Sequence, residues 1–361
     1  MTGKERITNI LAGKPVDRIG VFEEFWADTE RRWVSEGHVN GNTAQPLLDH
    51  FGWDIEKPWP FNFTADPKAG NRILEETPET VTYLDGNGAT LRRHKLHVST
   101  PEHISFICQD RESWLERIKP LYDCPVSDRI NIEYGYRTYQ RRAEKNGSYM
   151  LLSSWHVFQD MLNLCGHENL LFGMADDPEW IDDMIKTIGD LSIHMHEELF
   201  SRVGKPDGLY IMEDLGYKYS PFFSPAMFRR FFKPVYTRFA DFAHANGLKL
   251  FFHSCGFIEP LLPDLVETGI DCLTAMEHKA GMDVKRIAKN FGDRIALVGG
   301  LDVRELESND IGRVEALLED YIPFLKQYRY ILATDHSTSD KVDYETFTYF
   351  IRRGLAIGQY Y

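Results

Sequence analysis

The sequence predicts a single-domain α/β protein, a (β/α)8 TIM barrel spanning residues 1–361. Short, nearly continuous apolar runs alternate with amphipathic helical stretches, most regularly in the second half of the chain. Such runs mark parallel strands covered on both faces. A length of 361 residues suits one barrel carrying an insertion. The runs also end, one after another, in polar and titratable side chains, where a barrel keeps its chemistry. The competing arrangement is an open doubly wound sheet, which announces itself with a glycine-rich first strand-to-helix turn. No such turn is present.

Taken in order, Ile19–Phe25 reads as the first strand. The stretch from Trp53 to Ile118 alternates irregularly and is rich in aromatics, so residues 53–118 are assigned approximately to an insertion with a β-hairpin around Asp85-Gly-Asn-Gly88. Met150–Ser154 is a further strand. Leu209–Asp214 is the next, followed by a helix with Ser224 as N-cap and Pro225 in its first position, running through Phe232, Tyr236 and Phe242 to a stop at Asn246-Gly247. The remaining strands are Leu248–Cys255, Cys272–Glu277, Ile295–Leu301 and Tyr330–His336. Between and after them lie helical segments from Ile258 to Thr268, Val284 to Phe291, Val314 to Tyr328 and Tyr344 to Ala356. No repeat of fixed period and no Pro/Gly/Ser linker divides the chain.

Composition excludes several function classes. The net charge is −14 and no basic cluster is long enough to track a phosphate backbone, so nucleic acid and anionic membrane are poor partners. No stretch approaches the roughly 18 apolar residues of a membrane span, and Met1 to Arg18 is polar, without the apolar core of a signal peptide. The five cysteines, Cys108, Cys124, Cys165, Cys255 and Cys272, are odd in number and scattered. They do not form a disulfide framework, and a reducing cytoplasm is the expected compartment.

The strand ends read Glu23-Glu24, Ser153-Ser154, Glu213-Asp214, His253-Ser-Cys255, Glu277-His278, Asp302 and Asp335-His336. In His253-Ser-Cys255, residues i and i+2 of a strand face the same way. Imidazole and thiolate would stand side by side, as two ligands of one ion must, and zinc accepts that mixture while a catalytic zinc keeps one position open. A third ligand has to come from another strand end; His336 leads and Glu213 follows. A lone His-x-Cys is common, however, and a cysteine is often simply buried; Cys108, Cys124 and Cys165 are assigned structural roles. Asp214, Asp302 and Asp335 could each cap the following helix. Alternation sends one of Glu213 and Asp214 toward the barrel axis, and Glu23 and Glu24 read as surface residues. Glu213, Glu277 and His336 are therefore the candidate catalytic groups, and His253, Cys255 and His336 the candidate metal ligands. The aromatics around the first strand and the insertion, among them Phe22, Trp26 and Trp59, are in part core; as a cluster at the mouth they would suit a flat or apolar substrate.

These residues resemble a family. Gly3-Lys-Glu-Arg6 followed by Pro15-Val-Asp-Arg-Ile19 is similar to the opening of the uroporphyrinogen decarboxylase superfamily. So are Ser224-Pro-Ala-Met-Phe228, Ala245-Asn-Gly-Leu-Lys-Leu250, His253-Ser-Cys-Gly256, Gly299-Gly-Leu-Asp302 and Thr334-Asp-His336. The resemblance covers essentially the whole chain and implies a (β/α)8 barrel, often homodimeric. True uroporphyrinogen decarboxylases carry an arginine-rich N-terminal segment that grips a polycarboxylate, whereas Phe22-Glu-Glu-Phe-Trp-Ala-Asp28 is acidic and aromatic. His253-x-Cys255 looks instead like the start of the zinc site of the cobamide-dependent methyltransferases, whose pattern ends in a distant Cys; here His336 stands at that position. The implied activity is zinc-dependent transfer of a methyl group between a small, methoxylated or otherwise apolar substrate and a corrinoid. The chain has no Asp-x-His-x-x-Gly signature of its own, so the corrinoid is expected on a partner protein or free in solution. The alternatives are a metal-free decarboxylase of a small carboxylated substrate and a non-catalytic binding barrel.

Overall fold

A computed structural model of the chain describes residues 1–43, 45–96 and 100–360. Eight strands form the barrel wall: β1 (Gly20–Val21), β2 (Ile55–Glu56), β3 (Tyr149–Trp155), β4 (Gly208–Glu213), β5 (Lys249–Ser254), β6 (Cys272–Ala275), β7 (Ala296–Gly299) and β8 (Tyr330–Leu332). They run in the order β1-β8-β7-β6-β5-β4-β3-β2, and every neighbouring pair is parallel. The apolar runs are buried on both faces as expected; β6, β7 and β8 are buried along their whole length. The expected helices after them form at Val284–Phe291, Ile311–Leu325 and Tyr344–Ile357.

The seam between β1 and β2 is closed by one residue. The Asp54 N–H donates to the Val21 carbonyl at 3.1 Å, and Asp54 Oδ2 accepts the Val21 N–H at 2.9 Å. That buried carboxylate also takes Arg6 Nη1 at 2.6 Å and Arg18 Nη1 at 2.8 Å, and Arg6 reaches Asp17 at 2.7 Å. The arginines of the two opening motifs thus converge on the barrel seam, where each buried charge has a partner. Their role is architectural.

The insertion is a four-stranded antiparallel sheet with strands at Arg72–Glu76, Thr80–Leu84, Ala89–His94 and Glu102–Phe106. Its hairpin at residues 85–88 is fixed by Asp85, whose Oδ1 accepts the N–H groups of Asn87 and Ala89 at 2.9 Å each. The insertion begins later than residue 53, because Ile55–Glu56, inside that stretch, belongs to the barrel. A two-residue strand is too short to show a period. The predicted strands are also too long at their C-terminal ends. Tyr330–His336, for example, is a ladder only to Leu332; the rest peels away to form the mouth. Among the described residues, no helix is long and apolar enough to cross a membrane.

Candidate metal centre

Strand alternation selects what enters the barrel. Along β4 and its extension, Tyr210, Met212 and Asp214 line an axial cavity of ≈ 360 Å³, and along β5 Phe251, His253 and Cys255 do the same. Met212, His253 and Thr274 are register partners on three adjacent strands. One step further toward the mouth, Asp214 and Cys255 stand on neighbouring strand ends. His253 Nε2 lies 3.3 Å from Cys255 Sγ and 3.9 Å from Asp214 Oδ1. Ligand atoms of all three fall within 4.8 Å of one another, the grouping of this kind found among the described residues.

The loops after β4 and β5 approach closely enough to require glycine. A Cβ on Gly256, whose φ is +76°, would meet the Gly216 backbone at 2.3 Å, and one on Gly216 would meet Gly256 at 2.6 Å. The Leu215 N–H donates to Ser254 Oγ at 2.9 Å, and the Cys255 N–H to Asp214 Oδ1 at 3.4 Å. Behind the ring, His253 Nδ1 sits 3.1 Å from Thr274 Oγ1, which leaves Nε2 directed at the thiol.

This donor set fits zinc. Zn–S and Zn–N bonds of about 2.3 and 2.0 Å at a tetrahedral angle place S and N roughly 3.5 Å apart, close to the 3.3 Å observed. Burial, with lesser contributions from the Asp214 and Glu277 carboxylates, holds the Cys255 thiol well above its ordinary range. Such neighbours oppose a free thiolate nucleophile and suit a thiolate shared with a cation. Burial also holds His253 below its usual value despite Asp214 and Glu24, so the imidazole is neutral, the form that ligates metals.

The third donor in this group is Asp214, not Glu213. Glu213 points outward and is fully buried. Its Oε1 accepts the Phe158 N–H at 3.1 Å and the Tyr236 hydroxyl at 2.7 Å, and its Oε2 accepts the Gln159 N–H at 2.8 Å. It therefore caps the helix Val157–Asp176, whose own N-cap residue His156 makes no side-chain cap. Burial raises its carboxyl to about 8 against these donors. Glu213→Ala should cost about 3 kcal/mol by orphaning buried N–H groups, while Glu213→Gln should cost less. Denaturant unfolding measures the loss, and unchanged metal content in the folded Glu213→Gln protein would separate capping from ligation.

His336 lines the same axial cavity but lies outside the Asp214–His253–Cys255 group. It is half-buried and stacks on Trp26, with ring centroids 6.1 Å apart. Glu277 faces a second cavity of ≈ 820 Å³ between the insertion hairpin and the barrel rim. It accepts the Gly256 N–H at 2.9 Å and pairs with Lys279 at 2.8 Å. Ala275 and Met276, just before it, are held at φ +79° and +62°, a conformation costing about 1–3 kcal/mol per residue. Asp302 caps its helix and Asp335 accepts the N–H groups of His278 and Val303 at 2.7 and 2.9 Å. Ser153 and Ser154 are buried in β3. Glu23 and Glu24 are not surface residues. Glu23 accepts the Thr334 N–H at 2.8 Å, and Glu24 lines the axial cavity paired with Lys57. Lys57, whose Nζ lies 4.4 Å from the Tyr210 ring centroid, carries no motif in the sequence.

The model of the uroporphyrinogen decarboxylase (URO-D) family matches residues 150–353, more than half of the chain. The chain belongs to the URO-D family. Among 37 solved chains that match is a methyltransferase from Methanosarcina mazei, with a TM-score of 0.65, 14% identity and 98% of both chains covered. At that identity it shows that this URO-D member has the same fold. An endo-β-1,4-xylanase from Gloeophyllum trabeum is also found at TM-score 0.38 and 9% identity, covering 61% of this chain and 80% of its own. Dispersin B is found at TM-score 0.36 and 11% identity, covering 62% and 74%. Neither bears on the site. No curated protein matches the sequence.

Proposed function

We propose that this URO-D family member is a zinc-dependent methyltransferase that moves a methyl group between a small substrate and a corrinoid carried by a separate protein. The observation that carries the reading is the Asp214–His253–Cys255 cluster, three donors of zinc-binding type at the C-terminal mouth of the barrel. Asp214, His253 and Cys255 would hold the zinc, which when bound would supply Lewis acidity to the oxygen, nitrogen or sulfur atom that bears or receives the methyl group. The chain's own residues do the rest. Thr274 sets the imidazole, and the Gly216–Gly256 contact sets the distance between the two flanking donors. Phe22, Trp26, Tyr210 and Phe251 give the chamber wall a largely apolar surface beside the cluster.

Decarboxylation of a polycarboxylate is the weaker reading. Lys57, near the axial cavity, is paired with Glu24, and Glu23, Glu24 and Asp214 in the cavity wall add no attraction for anions. The test uses chelator-free protein, reduced cobalamin or a corrinoid protein, and a panel of methyl ethers, amines and thioethers. About one zinc per chain and methylcobalamin formation, followed by its visible spectrum, are expected. Turnover of uroporphyrinogen on the order of 1 per second, or protein without zinc, would overturn the reading.

A further inference from the structure

The ladder between β5 and β6 ends at the pair Ser254 and Ala275. Cys255 and Gly256 lie just past that pair on one side. On the other, Ala275 and Met276 turn through the left-handed region and Glu277 follows. Glu277 Oε2 accepts the Gly256 N–H at 2.9 Å in a buried hydrogen bond.

That bond bears on Cys255, because the Gly256 N–H belongs to the planar peptide group that joins the two residues. The direction of this group fixes the backbone torsion on the carboxyl side of Cys255. The peptide group on the other side is held as well, since the Cys255 N–H donates to Asp214 Oδ1 at 3.4 Å. Toward β4, Gly256 is packed on Gly216, where an added Cβ would come within 2.3 Å of the backbone. Cys255 is thus held from β4 by Asp214 and Gly216 and from β6 by Glu277.

Both oxygens of Glu277 are engaged in this arrangement. Oε2 takes the Gly256 N–H, and Oε1 takes Lys279 Nζ at 2.8 Å. The side chain is buried and lies outside the Asp214–His253–Cys255 group. Lys279 balances a charge that would otherwise stand uncompensated beside a thiolate.

We infer that Glu277 is a positioning residue for the metal centre: through the Gly256 N–H it holds the Cys255 sulfur in the direction that ligation requires, with Lys279 as its counter-charge. The inference rests on the zinc reading of the cluster. A carboxylate that acts through one hydrogen bond differs from a ligand, and from a general acid or base, in what can replace it. Glutamine keeps an acceptor oxygen at the same reach. Aspartate keeps the charge but draws the oxygen back by one methylene.

The experiment uses the full-length protein and the variants Glu277→Gln, Glu277→Asp and Glu277→Ala, each checked for folding by circular dichroism. Zinc affinity is measured by competition with a chromophoric chelator, and the thiolate-to-metal charge-transfer band is recorded on the cobalt(II)-loaded forms. Glu277→Asp and Glu277→Ala should bind zinc about 10- to 100-fold more weakly, the usual consequence of losing a group that orients a ligand, and their charge-transfer band should weaken or shift. Glu277→Gln should stay close to wild type in both measurements. If the alanine variant does not fold, the contrast between Asp and Gln decides. A loss in Gln equal to that in Asp would assign the effect to charge, and an unchanged affinity and band in Asp would leave Glu277 without a role at the metal; either result overturns the inference. A wild type that binds no zinc would sink the zinc reading and this inference with it, whereas zinc binding by wild type with either of those variant patterns sinks the inference alone.

Discussion

Zinc content should fall to near zero in Cys255→Ala and in Asp214→Ala, and methyl transfer should fall with it by at least about 10³-fold, the scale of losing Lewis-acid activation. His336→Ala should keep its zinc. The contrast follows from geometry. Cys255 and Asp214 lie on adjacent strand ends held together by the Gly216–Gly256 contact, with ligand atoms inside the 4.8 Å group, whereas His336 reaches the chamber from β8 and spends its ring face on Trp26. Thr274→Val should have an intermediate effect, about 10- to 100-fold in zinc affinity, the usual consequence of removing a partner that orients a ligating histidine. Metal analysis by mass spectrometry on folded, chelator-free variants reads all four. Retention of zinc in Asp214→Ala together with its loss in His336→Ala would make His336 the third ligand and refute Asp214.

The His253/Cys255 pair was legible because it needs only a strand and a period of two. The third donor was not, because β4 is buried on both faces. In Leu209-Tyr-Ile-Met212 both parities are apolar, so nothing in the sequence says whether Glu213 or Asp214 turns inward. The helix start at Val157 carried the missing clue in its lack of a capping residue, since those N–H groups require an acceptor from elsewhere, and Glu213 supplies it. Lys57 was invisible for a related reason. It follows a two-residue strand whose place in the barrel depends on pairing with Tyr149 and Met150, far away in sequence. The fold itself was readable because its longer strands and their helices repeat one local pattern, and the motifs around Arg6 and Arg18 added a family resemblance; that both arginines meet on Asp54 in this chain only the structure reveals.

A second large effect belongs to the helix layer behind the centre. His156 is fully buried, both ring nitrogens lack a hydrogen-bond partner, and its ring lies 3.9 Å, centroid to centroid, from Phe239. Burial, reinforced by the neighbouring His196, holds its pKa well below the ordinary value of 6.5; burial likewise lowers His196, to about 4. The unfolded chain protonates at the ordinary value and the folded one does not. Each histidine therefore contributes stability that is present above about pH 6.5 and is lost as the pH falls toward the folded pKa, at about 1.4 kcal/mol per pH unit. Glu23 and Glu213, both raised to about 8, act with the opposite sign over the same range, so the wild-type curve alone does not isolate the histidines. The difference between wild type and His156→Leu does. Any packing cost of the leucine is nearly independent of pH and drops out, leaving the variant about 2 kcal/mol more stable relative to wild type at pH 5 than at pH 7. Urea unfolding at the two pH values measures it. A difference that stays constant with pH would mean that His156 takes up its proton in the folded protein, and that the apolar enclosure formed by Phe239 and Tyr236 does not exclude the charge.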